Sequence, residues 1–390
     1  MVKNLMVNKK IIICGSLCDT DIAVAELLSR HSIPVYIIRL EGDELRNPNS
    51  YKNKLKYFNL NKIVYINSQP YIKKILKEAK LIISLTGSID KFLRLRDYFF
   101  RVNEVLPKTI NITTGADITE IAREKSLKGI MFRSLLNRSL CNYLNPYPEV
   151  INTIKYIKLK KYNIIKSPYY LVDDYVESDM LYKTSSDKVK YLHASNLDWG
   201  SKDNNKNRNT TKGNDKFIRA FIRAVNEGKK ITCSLLLRGP DKEKALEMIN
   251  NSGAGNAFEY INPVSQGELY SLIVNSDIVV DQFDVGALGG IACEAMAQKK
   301  PVITYVDINC SNIVFNKIPP ILNCHTEDEI YKTIMKCNDH IKLKELGVEA
   351  EEWIREFIDI HTADFSEFIL KVCMAAGLKW PRKDFSNDTR

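Results

Sequence analysis

No apolar run in this 390-residue sequence is long enough to cross a bilayer, which takes about 18 or more consecutive apolar residues. The one stretch with the look of a leader, Lys9-Lys10-Ile11-Ile12-Ile13-Cys14, is too short and soon meets Asp19 and Asp21. The nine cysteines are scattered and none forms a Cys-x-x-Cys pair; Cys14 and Cys18 stand closest. Neither a disulfide framework nor a zinc site is expected, and reduced thiols of a cytoplasmic protein are. GxGxxG is absent, and so is the acidic residue that would hold a dinucleotide's ribose, which argues against an NAD-binding oxidoreductase. No Asp-x-Asp pair stands in a setting that suits a metal. No nucleic-acid motif is present, so nucleic acid ranks last among partners. No internal repeat is visible.

What the sequence does hold is a globular composition. It is 45% hydrophobic, with a net charge of +10 spread over many lysines rather than confined to a tail. The length suggests two or three domains, with room for two full cores. The positive balance favours acidic partners, such as nucleotide phosphates or anionic lipid headgroups.

In the first half, Lys10–Cys14, Pro34–Ile38, Ile63–Ile66, Leu81–Leu85 and Thr109–Thr113 read as strands. Helices are expected at Asp21–Arg30, Tyr71–Lys80 and Ile118–Arg133. This alternation predicts a doubly wound α/β domain with a parallel sheet, whose ligands bind beyond the carboxyl ends of the strands. Three strand ends follow: Gly15-Ser16, Thr86-Gly87-Ser88 and Thr114-Gly115-Ala116-Asp117. Gly15 and Ser16 suit backbone approach to a diphosphate or an acceptor, or a plain turn. Asp117 suits an acceptor-contacting carboxylate or base, or a helix N-cap. Residues 89–105 combine Phe92, Leu95, Phe99 and Val102 with Lys91, Arg94, Arg96 and Arg101. Such a helix suits an anionic membrane interface or packing on its own sheet.

Ser167 to Lys188 carries the chain into a second α/β half that begins with the strand Val189–Ala194. A polar stretch, Gly200 to Thr211, leads to Lys212-Gly213-Asn214-Asp215 and a helix bearing Phe217, Phe221, Ala224 and Val225 on one face. A strand is expected at Ser234–Leu237, and Phe258–Pro263 precedes a helix from Gln266 to Asn275. The chain is organised around Asp281 to Pro301, DQFDVGALGGIACEAMAQKKP. A strand ends at Asp281, a loop carries Gly286, Gly289 and Gly290, and a helix then runs to Lys299-Lys300-Pro301. A glycine turn before a helix lets backbone amides approach an anion at the positive end of the helix dipole. Glu294, about one turn inside, can reach back to hydroxyls on the same ligand. Val348 to Cys373 reads as a terminal helix and 379–390 as a tail.

This stretch resembles the nucleotide-sugar site of retaining glycosyltransferases of the two-Rossmann GT-B fold, in particular the large family-four group. Gly289, Glu294-Ala295-Met296-Ala297 and Pro301-Val302-Ile303 match that pattern, and Asp281-Gln282 fits a subgroup of it. The resemblance implies that Glu294 contacts the donor's ribose and that amides around Gly289, Gly290 and Ile291 hold its diphosphate. The family's first glutamate, a donor-sugar contact, falls on Gly286, leaving Asp284 or Asp281 to take its place. Lys212 matches the lysine of the family's Lys-Gly-Thr-Asp motif, with Arg208 the nearest arginine; both would face the diphosphate. His193 matches a strand end that would face the cleft, and backbone near Ile261 and Asn262 would hold the base.

The resemblance implies two Rossmann-like domains facing across a cleft, 1–175 for the acceptor and 176–350 for the donor, with helices 351–378 returning to the first. It also implies a metal-independent, retaining transferase without a cofactor. Such an enzyme would move sugar from a nucleoside diphosphate to a glycan, lipid-linked or protein acceptor, for instance in bacterial surface polysaccharide. It would sit in the cytoplasm or at the inner membrane face. The other class of reading is a non-catalytic scaffold subunit of the same fold.

Overall fold

The computed structural model describes residues 10–15, 20–41, 55, 57–85, 97–113, 116–119, 121–144, 148–164, 188–200, 211–264, 266–311 and 317–379. The chain divides into two units. The first comprises Met1–Asn145, Ile154–Tyr169 and His361–Arg390; the second comprises Pro146–Thr153 and Tyr170–Ile360.

The first unit holds β1 (Ile11–Cys14), β2 (Val35–Leu40), β3 (Ile63–Ile66), β4 (Leu81–Leu85), β5 (Thr109–Ile112), β6 (Cys141–Leu144) and β7 (Tyr162–Ile164) in the order β3-β2-β1-β4-β5-β6-β7. The second holds β8 (Val189–His193), β9 (Ile231–Leu236), β10 (Phe258–Ile261), β11 (Ile278–Val280), β12 (Val302–Thr304) and β13 (Leu322–Asn323) in the order β10-β9-β8-β11-β12-β13. Every pairing between these strands is parallel. Parallel sheets are covered by helices on both faces, so their central strands are continuous apolar runs. The runs at β1, β4 and β11 are buried throughout. In both sheets the strand order reverses beside the first strand, between β1 and β4 and between β8 and β11. Such a reversal opens a crevice at the carboxyl ends, where ligands of open α/β sheets bind.

Three local readings change. The helix expected over Ile118–Arg133 is instead a short turn Ala116–Thr119, a 3-10 turn Ile121–Arg123 and a helix Leu127–Arg138. Ser126 restarts the chain as N-cap, its side chain accepting the Gly129 amide at 3.2 Å. β6 and β7 escape a search for apolar runs because polar residues interrupt them. Asn142, inside β6, is buried, and its amide is matched by Leu136 O at 2.9 Å and Lys161 O at 2.7 Å, while its oxygen accepts from Asn111 at 2.8 Å. The last helix runs from His340 to Ala376, longer at both ends than its apolar stripe suggests. Ala350, Trp353 and Ile354 belong to a core cluster of the second unit, whereas Phe368, Ile369, Val372 and Cys373 belong to the main core of the first. The terminal helix therefore returns the chain to the first unit, as the resemblance implies.

The second unit is built on aromatics. Phe221 lies 4.9 Å from Phe258 and 5.4 Å from Tyr191 between ring centroids, and Phe217 lies 5.5 Å from Phe221. Phe217 and Phe221 sit one helical turn apart on the apolar face of the helix Asn214–Asn226 and press it onto the sheet. Among the described residues no helix is long and apolar enough to cross a membrane. Phe217 is fully buried, so Phe217→Ala is expected to cost about 3–5 kcal/mol, read as an earlier urea transition of the second unit.

Candidate functional site

The carboxyl edge of the second sheet carries two loops tied to each other. The first follows β8. Its Leu197 is pinned on both sides, Leu197 N donating to Arg238 O at 2.7 Å and Leu197 O accepting from Asp241 N at 3.1 Å. The Asp241 carboxylate, fully buried, accepts the amides of Trp199 at 2.8 Å and Gly200 at 3.2 Å. Farther along, Lys212 N donates to Asp198 O at 2.6 Å, and Lys212 O accepts from Phe283 N at 2.7 Å. The lysine backbone is therefore fixed between the two loops, and its half-buried side chain donates to the Gln282 carboxamide oxygen.

The second loop follows β11. Asp281 is buried, and its Oδ2 accepts the amide of Gly289 at 3.0 Å. Burial raises the Asp281 pKa, while the Lys212 charge and the Gly289 amide pull it back down. Gly289 is the N-cap of the helix Gly290–Ala297. A Cβ built on it would stand 2.1 Å from Asp281 Oδ2, so only glycine lets the carboxylate come this close. The next amides, of Gly290, Ile291 and Ala292, open the helix and have no intrahelical acceptor; the first such bond runs from Cys293 N to Gly289 O at 3.2 Å.

Beneath both loops lies Asn214, fully buried. Its Nδ2 is 3.1 Å from His193 Nε2, 3.0 Å from Ser195 Oγ and 3.1 Å from Asp281 O, and its Oδ1 accepts from Asp198 N at 3.2 Å. Ser195 Oγ also donates to Asp281 O at 2.7 Å. His193 is fully buried against Phe217, and burial lowers its pKa to about 4. The ring is thus neutral at pH 7, as an Nε2 accepting from an amide requires.

The other expected residues fall as follows. Glu294 is half-buried in the Gly290 helix, and Ile291 and Gly290 form its first turn. His193, expected to face a ligand, has no exposed surface and supports Asn214 instead. Asp281, one of two stand-ins for the missing glutamate, is buried as well. The other, Asp284, is exposed, pairs with Lys216 at 2.5 Å and accepts from Thr211 Oγ1 at 2.6 Å. Gly286 is buried at φ 74°, a region that disfavours a side chain, and a Cβ there would meet Asp307 and Pro148 at 3.3 Å. A side chain here would strain the backbone and press on both neighbours. Ile261 ends β10 with its carbonyl accepting from Leu237 N at 2.8 Å, and Asn262 beyond it is exposed. Gly15 closes β1, buried, in the other unit, where Asp117 lies in the short turn after β5. Ser16, Arg208 and the 86–88 strand end lie outside the described residues. Among the described residues no group of three His, Cys, Asp or Glu is placed to hold a metal.

Asn214, Ser195 and Gln282 stand out in the sequence only as members of motifs, with no role of their own assigned. A signal for Asn214 existed. It precedes Phe217 by three residues and Phe221 by seven, so helical spacing puts a carboxamide on a buried stripe, where it must find partners.

Two outcomes follow from this geometry. His193 has a lowered folded pKa, so between pH 6.5 and about 4 the unfolded chain takes up a proton that the folded chain refuses. Stability should fall by roughly 3 kcal/mol as pH drops through that window, and the fall should vanish in His193→Gln, measured by urea unfolding at pH 7 and pH 4. Gly289→Ala should destabilise by about 1–3 kcal/mol, read as a lower melting temperature, because Asp281 must move.

Residues 206–318 match the family model described as glycosyl transferases group 1. No curated protein sequence matches the chain. Among solved structures, the chain is similar to Anabaena HepE in complex with UDP and glucose, with TM-score 0.64 and 13% identity over 93% of this chain and 100% of that one. It is similar to sucrose-phosphate synthase from Thermosynechococcus elongatus, with TM-score 0.61 and 12% identity over 94% and 100%. A glycosyltransferase from Rickettsia africae aligns with TM-score 0.61 and 15% identity over 94% and 99%. At these identities the likeness to solved structures establishes the fold, and the matched region lies wholly within the second unit. The chain has the GT-B fold, and residues 206–318 of its second unit match the glycosyl transferases group 1 model.

Proposed function

We propose that the chain transfers a sugar from a nucleoside diphosphate, with UDP the first nucleotide to test, to a glycan or lipid-linked acceptor. One observation carries the reading: the Lys212 loop and the glycine loop are hydrogen-bonded to each other at the strand-order reversal, with a helix N-terminus opening beside them. Three kinds of positive charge converge there: an ammonium, orphan amides and the helix dipole. Helix-end interactions with an anion are worth about 0.3–2 kcal/mol according to burial.

Departure of a nucleoside diphosphate concentrates negative charge on the leaving phosphate while positive character grows at the anomeric carbon. Groups fixed against that phosphate stabilise the transition state more than the ground state. Lys212 and the amides of Gly290 and Ile291 are assigned to the diphosphate, and Glu294 to the ribose. Fixed cations in this role make a metal unnecessary, and the family resemblance favours retention of anomeric configuration. The acceptor is assigned to the carboxyl edge of the first sheet, where Gly15 and Asp117 lie. A role in surface polysaccharide synthesis at the inner membrane face fits the positive net charge. HepE bound to UDP and glucose, on the same fold, supports the choice of nucleotide.

The test is calorimetric titration with UDP and GDP, followed by turnover across a donor panel. Lys212→Ala and Glu294→Ala should each weaken UDP binding about tenfold or more while the protein stays folded. Unaltered affinity in both variants would remove the site assignment. Tight binding without turnover on any donor would favour a scaffold.

A further inference from the structure

We infer that Gln282 is the positioning residue for Lys212, and that its neutrality is what leaves the ammonium's charge available to a diphosphate. The inference rests on the nucleotide-sugar reading of the site. Gln282 is 2% exposed, and both ends of its carboxamide are engaged: Oε1 accepts from Lys212 Nζ, and Nε2 donates to Ala287 O at 2.8 Å. These partners fix the amide's orientation without ambiguity. A carbonyl oxygen only accepts and an ammonium only donates, so reversing the amide would set donor against donor and acceptor against acceptor. The backbone leaves no other freedom, since Gln282 O accepts from Tyr305 N at 2.8 Å and from Thr304 Oγ1 at 2.9 Å.

One side chain therefore links the lysine loop to the glycine loop. It aims Lys212 with a dipole rather than with an opposite charge. A carboxylate at the same place would hold the ammonium as well but would cancel its charge, and it would face the Ala287 carbonyl with a second acceptor. The nearby acid, Asp281, feels the Lys212 charge while its Oδ2 accepts the Gly289 amide, and Gln282 is the group that touches the ammonium. The side chain of Gln282 thus acts on the ligand through Lys212 and needs no contact of its own.

The experiment compares UDP and uridine on wild type, Gln282→Glu and Gln282→Met, by calorimetry for UDP and saturation-transfer NMR for uridine. In Gln282→Glu, UDP affinity should fall about tenfold or more, with a weaker salt dependence because one ligand-facing charge is neutralised. Uridine affinity should stay within about twofold, because uridine carries no phosphate for Lys212 to meet. In Gln282→Met the lysine loses its guide, and UDP affinity should fall several-fold with uridine again unchanged. If Gln282→Glu fails to fold, Gln282→Met carries the same comparison. Equal losses for uridine and UDP would reduce Gln282 to a structural role and overturn the inference, as would undiminished UDP binding in both variants. Wild type that binds no UDP would remove the nucleotide-sugar reading along with it.

Discussion

A buried carboxylate set against a helix N-terminus fixes the rest of the second unit's site. Asp281 takes the Gly289 amide, and in doing so it sets where the Gly290 helix begins and how close the glycine loop lies to the end of β11. Its backbone carbonyl meanwhile collects Ser195 and Asn214 from the other side. Burying an acid costs several kcal/mol unless hydrogen bonds and a nearby cation offset it. Here the Gly289 amide and the charge of Lys212 offset part of that cost. Lys212 is accordingly tied to the cohesion of the site.

The supporting layer beneath is neutral by construction. His193, Ser195 and Asn214 form a buried polar group whose members accept and donate without net charge. A protonated imidazole there could not accept from the Asn214 amide, and burial holds the ring neutral well below physiological pH. Asp281 is buried beside this layer, whereas Lys212 and Glu294 are half-buried. That separation suits a site meant to carry net positive potential toward a ligand while keeping uncompensated charge out of the core.

Both sheets repeat one strand order, yet the described functional chemistry gathers at the second. The first sheet ends β1 at Gly15 and β5 before a short turn bearing Asp117. The second adds a lysine loop, a glycine loop and a helix N-terminus at one reversal. Fold alone does not assign a reaction; the match of 206–318 to the group 1 model, a region that contains all three features, is what supports the proposal of sugar transfer.

Much of this was legible in the sequence. Continuous apolar runs marked β1 and β4, because strands covered on both faces admit little else. The glycine turn and the matching Glu-Ala-Met-Ala segment pointed to the Gly290 helix, since only glycine tolerates a close carboxylate at its cap. Strands β6 and β7 were hidden because their polar residues find partners only in the fold, and the 118–133 segment was misread because a cap at Ser126 outweighs propensity. The sequence by itself determined the fold class, the lysine and the glycine loop, all of them carried by local pattern. Only the tertiary structure decided that His193 lies beneath the site, that Asp281 accepts the amide of the N-cap Gly289, that Gly286 takes a positive φ and that Gln282 joins the two loops. Each of those depends on which residues, distant along the chain, come within hydrogen-bonding distance, and no periodicity records that.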